Sequence, residues 1–88
     1  MTQRNITSGP GKFDLMASLF MKDHNVFFTL ESGEKVTVNL TSVGIEDGSR
    51  ESWLIEGYLI PEHGSWIKFT GWYATSSAWK ENKGYIKC

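Results

Sequence analysis

Cysteine is almost missing from this chain: of its 88 residues only Cys88, at the last position, carries a thiol. A lone cysteine cannot close an internal disulfide, so a reducing, cytoplasmic setting is expected. Arginine is nearly as scarce, with Arg4 and Arg50 alone, and the formal net charge is −1. That balance lacks the strong positive field of a general DNA binder or of a protein drawn to anionic membranes. No apolar run approaches the roughly 18 residues of a membrane span, and the opening MTQRNITSGPGK has no hydrophobic signal core, so neither insertion nor export is expected. Without a secretory route, the sequons at Asn5 and Asn39 read as chance matches.

Reactive motifs are missing as well. The chain has two histidines and no CxxC, HxH, HExxH, GxGxxG or phosphate-binding loop, so the expectation is no enzyme, no metal and no cofactor. His24 follows Asp23, and His63 follows Glu62. Such carboxylates can raise an imidazole pKa or share a metal, but solvated turn histidines are the plainer reading. Ser65 lies two residues from His63 with no third group to orient the pair. The carboxylates Glu46, Asp47, Glu51, Glu56 and Glu62 fall mostly in or beside turns, where their usual role is solubility. Glu56 is the exception, sitting inside an apolar strand.

Against these absences stands a surplus of rings. Four Trp, three Tyr and five Phe make 14% of the chain, within a hydrophobic fraction of 40%. That is ample for one core and too apolar for a disordered segment. The size fits one domain, and a chain this short buries only about 60–65% of its unfolded surface. Charge is uneven: residues 1–30 carry +1, residues 31–62 carry −5 and residues 63–88 carry +3. An acidic middle and a basic end suit two different patches, or complementary surfaces between subunits.

Residues 1–11 are polar, include Gly9-Pro10-Gly11 and show no period, and so read as a flexible arm ahead of a single β-rich domain spanning 12–88. Over Lys12–Asp23, Phe13, Met16, Ala17 and Phe20 satisfy a helical spacing while Phe13, Leu15, Ala17, Leu19 and Met21 alternate as a strand would. The lack of β-branched residues, with Asp14 early and Lys22 late, favours a short helix. Val26–Leu30, a turn at Glu31–Glu34 and Lys35–Thr41 read as a hairpin, with Val36, Val38 and Leu40 on the core face. The alternation slips at Ser42-Val43-Gly44-Ile45, where Gly44 is a candidate bulge or bend. A second turn falls at 46–50, and Ser52–Ile60 forms a strand with large side chains on both faces. The next strand, Ser65–Tyr73, places Ile67, Phe69 and Tyr73 on one side and Trp66, Lys68, Thr70 and Trp72 on the other. A polar connection over 74–83 and a short strand at Gly84–Lys87 complete the chain.

The expected architecture is mainly β (α+β): one short N-terminal helix followed by about five antiparallel strands, forming a small bent sheet or a partly open barrel, SH3- or Sm-like in outline. A meander of that kind leaves exposed strand edges unless the barrel closes or a second chain pairs with them. Seven Trp and Tyr side chains exceed what so small a core readily satisfies, so some are expected outside. The candidate binding surface is Trp66, Lys68, Trp72, Trp79, Lys80 and Tyr85. Its favoured role is a protein-binding or self-associating aromatic face of a homo-oligomer. The alternative is a surface that stacks the bases of RNA or single-stranded DNA. Small acidic single-domain proteins of this type are plentiful among phage and mobile-element products.

Overall fold

The computed structural model describes residues 2–20, 24–45, 52–75 and 82–88. Six strands and one helix follow the chain in the order β1 (Gln3–Ser8), α1 (Lys12–Phe20), β2 (Asn25–Leu30), β3 (Lys35–Ile45), β4 (Ser52–Ile60), β5 (Ile67–Ala74) and β6 (Lys83–Lys87). Consecutive strands pair antiparallel, and β1 pairs with β6, so the sheet closes on itself. The small β-rich barrel expected from the sequence is therefore present, with one more strand than anticipated and with its seam shut.

The extra strand comes from the segment read as an arm. Gln3–Ser8 lies between β2 and β6 and adds a single fully buried apolar residue, Ile6, to the core. One lumen-facing side chain leaves no period to detect, which is why a polar stretch concealed a strand. Its polar residues hold the seam: the Asn5 amide donates to the Glu31 carboxylate at 3.2 Å, the Thr7 hydroxyl donates to the Thr29 carbonyl, and Arg4 pairs with Glu34. Thr2 and Cys88 exchange backbone hydrogen bonds beyond the ends of β1 and β6. Closure consumes the free edges on which pairing with a second chain was expected to rest.

The helix therefore follows β1 instead of opening the domain. Its first intrahelical bond runs from the Leu15 N–H to the Gly11 carbonyl, which makes Gly11 the N-cap, and Asp14 sits in the first turn where the dipole favours an anion. The buried side is not the Phe13–Met16 stripe that fits the helical spacing. Leu15 and Ser18 are buried, while Phe13 is 88% exposed and Met16 is exposed. The Ser18 hydroxyl satisfies itself against the Asp14 carbonyl one turn back.

The lumen is filled by alternate residues of every strand: Val26, Phe28 and Leu30 of β2, Val38 and Leu40 of β3, Trp53, Ile55 and Leu59 of β4, Phe69 and Tyr73 of β5, and Ile86 of β6. Each such aliphatic or ring contributes about 1.5–3 kcal/mol by leaving water. At Gly33 a positive φ of 88° lets the β2–β3 turn close, as the hairpin reading requires. The slip in β3 is real but lies between Leu40 and Ser42, one turn of the alternation before Gly44. The sharp curvature comes from glycines of the last three strands. A Cβ on Gly57 would overlap the Asn39 carbonyl, and one on Gly71 would overlap that of Tyr85. Neighbouring backbones thus approach more closely there than any side chain permits, as a barrel this narrow demands. The turn expected at 46–50 lies outside the described residues.

Candidate functional site

Because side chains alternate across a strand, filling the lumen with Trp53, Ile55, Phe69, Tyr73 and Ile86 fixes what β4, β5 and β6 show to the outside. Registers align these outward residues in rungs. One rung is Leu54–Trp72–Tyr85, continuing to Asn5 of β1, and the next is Glu56–Thr70–Lys87, continuing to Gln3. A third places Tyr58 opposite Lys68, and Lys83 faces Ala74 at the far end.

Two ring pairs bracket this face. Trp72 and Tyr85 stack at 6.4 Å between centroids with planes 27° apart, and both are half-buried. The Lys87 ammonium lies 5.1 Å from the Tyr85 ring centre, within reach of a cation–π attraction. At the other end Tyr58 and Trp66 meet at 6.2 Å, with Trp66 55% exposed. Leu54, beside Trp72, is 49% exposed. Trp66, Lys68, Trp72 and Tyr85 therefore lie on the outer side of β4, β5 and β6, while Trp79 and Lys80 lie outside the described residues.

Two members of the face are not apparent from the sequence pattern. Leu54 and Tyr58 belong to a strand with bulky residues on both sides, and only the register with β5 shows which phase points outward. Lys87 joins the face through its pairing with Thr70. Conversely, Trp53, counted in the ring surplus, is buried in the core one rung from Trp72.

A second polar cluster secures the helical end of the barrel. The Tyr73 phenol donates to the Pro10 carbonyl at 2.9 Å, and the Asn82 amide donates to the Gly9 carbonyl at the same distance. Burial pushes the Tyr73 phenol well above its ordinary range, and the hydrogen bond from Asn82 only partly offsets this. The contact ties the β1–α1 connection to β5 and β6 and points no reactive group outward.

Among the described residues the histidines join no constellation. His63, Glu62 and Ser65 are exposed in the β4–β5 turn. His24, half-buried, lines a groove of about 470 Å³ with Pro10, Asp14 and Phe27. A cleft of about 420 Å³ opens at the opposite end beside Arg4, Glu34, Val36, Leu59 and Ile67. Among the described residues no group of three His, Cys, Asp or Glu side chains is placed to hold a metal ion, and no helix is long and apolar enough to cross a membrane.

Fold and surface together define a small closed antiparallel barrel, capped by one helix, with an aromatic and lysine-bearing outer face. Compared with known protein families, curated proteins and solved structures, the chain has no match.

Proposed function

We propose that this chain is a non-enzymatic binding module of the cytoplasm that takes a protein partner, a second copy of itself included, on the outer face of β4, β5 and β6. The observation that carries the reading is that the outer side of β4, β5 and β6 holds two ring pairs, Tyr58–Trp66 and Trp72–Tyr85, with half-exposed Leu54, while the lumen is already filled. Exposed indole and aliphatic surface gathered in one place is what a partner covers, and Trp and Tyr contribute most of the energy in such interfaces. The reading calls for no cofactor. With the six described strands paired in a closed ring, self-association is read from this face and from the opposite charges of the middle and end of the chain, and not from a strand edge.

Light scattering on a sizing column is expected to show more than one chain per particle at micromolar concentration, or a heterologous protein captured from the native cell. Trp72→Ala should weaken either association by more than about 1 kcal/mol with the fold intact. An undiminished association in that variant would remove the face from the proposal.

The position of Lys87 over Tyr85 favours a second reading, in which the rings stack bases of single-stranded nucleic acid and the lysines follow its phosphates. Under it, oligonucleotide should quench tryptophan fluorescence, and the effect should fade as salt rises. Absence of quenching at low salt eliminates it.

A further inference from the structure

We infer that the partner's docking element is an acidic, extended polypeptide segment of about seven residues; this rests on the protein-binding reading above and adds the chemistry of what is bound. The first argument is charge. The rungs between the two ring pairs carry Lys68 and Lys87 against Glu56 alone, although the whole chain is slightly negative. The Arg4–Glu34 ion pair joins β1 to the β2–β3 turn and involves neither Lys68 nor Lys87. A basic patch on an acidic protein selects an acidic partner and repels a second basic one.

The second argument is spacing. Lys87 pairs with Thr70, so Lys68 stands on its diagonal, and side chains so related lie about 7–8 Å apart. Alternate side chains on an extended peptide are separated by about 7 Å, so carboxylates two residues apart match the spacing of the strand positions from which the two lysines project. Trp66 and Trp72 are six residues apart, which along a strand is roughly 20 Å. A segment with apolar residues at its first and seventh positions and carboxylates at its third and fifth thus reaches both ring pairs and both lysines on one side.

Two features favour polypeptide over nucleic acid. Leu54, half-exposed beside Trp72, offers aliphatic surface that suits an apolar side chain. No arginine stands on this face among the described residues.

The test uses the intact protein and fluorescence anisotropy with three labelled probes: Leu-Thr-Asp-Thr-Asp-Thr-Leu, the same peptide with Asn in place of Asp, and heptathymidylate. The Asp peptide is expected to bind about tenfold more tightly than the Asn peptide at low salt, and Lys68→Glu and Lys87→Glu should each reduce its binding by about the same factor. Lys68→Gln serves as a milder variant, and far-ultraviolet circular dichroism checks that the barrel persists in each. Equal binding of the two peptides, no measurable binding of the Asp peptide, or tighter binding of heptathymidylate would each overturn the assignment. If the Asn peptide binds as well and Trp72→Ala abolishes both, the acidic assignment fails and the aromatic face stands. If Trp72→Ala leaves every bound probe unaffected, the face itself falls.

Discussion

The lumen side and the outer side of β4 and β5 are built from the same residue types with opposite consequences. Trp53 pairs with Tyr73, and one rung along Leu54 pairs with Trp72. The first pair is sealed inside the barrel, while Leu54 is 49% exposed and Trp72 is half-buried. Both sides carry a tryptophan and a large apolar neighbour. What separates them is phase: a shift of one residue moves a side chain about its strand from a close-packed interior to a surface open to a partner. Ring content alone therefore does not tell a core from a binding face in this protein.

That contrast can be broken most severely where the lumen has no room at all. In Gly71→Val the added side chain would meet the Tyr85 carbonyl and the Ile86 backbone, and a loss of about 4 kcal/mol or more is expected. Chemical denaturation of a soluble variant with near wild-type stability would show that the strands there are not so closely opposed. Trp53→Ala should be next, costing about 3–5 kcal/mol through the cavity it leaves. A loss under about 1 kcal/mol would mean that this indole does not serve the core.

Tyr73→Phe comes third, because it removes the donor to the Pro10 carbonyl without emptying the ring's place. A cost of about 1–2 kcal/mol is expected in thermal unfolding. This residue also sets a pH dependence. Above the ordinary phenol value of 10.0, the unfolded chain gives up a proton that the folded chain keeps. Tyr73 therefore subtracts from stability as pH rises past that point and is neutral to it below. Denaturation midpoints measured between pH 8 and 11 should fall more gently in Tyr73→Phe than in the wild type. Parallel curves would show that the phenol ionises freely in the folded protein.

The smallest effect belongs to the outer side. Trp72→Ala should change stability by less than about 1 kcal/mol while weakening association, the reverse of Trp53→Ala. If the two variants lost stability equally, inside and outside would not differ as their burial indicates.

Much of this was legible beforehand, and what was missed has definite physical reasons. The hairpin of β2 and β3 announced itself through β-branched alternation around Gly33, and β5 through the alternation of Ile67, Phe69 and Tyr73 with Lys68, Thr70 and Trp72. Ile67 nonetheless remains 47% exposed, because it stands at the open end of the barrel, opposite the helix, where its inward phase meets no covering layer. β1 stayed hidden because a strand with a single core residue has no hydrophobic period, and α1 misled because its more regular apolar stripe, Phe13 and Met16, is the exposed one. The face was half legible: Trp66, Lys68, Trp72 and Tyr85 could be grouped from local alternation and from the likeness of neighbouring residue types. Leu54 and Tyr58 could not, since membership depends on which residues of other strands stand beside them.

The sequence by itself determined the β-rich class, the single thiol, the charge imbalance and the two sides of each well-patterned strand, because these follow from composition and from a local period of two. Only the tertiary structure decided that the sheet closes through β1 and which tryptophan belongs to the core. It also decided which rings and lysines of separate strands form one surface. Those outcomes depend on register between segments far apart in the chain, and register is fixed by the joint packing of all the lumen residues, which no single segment contains.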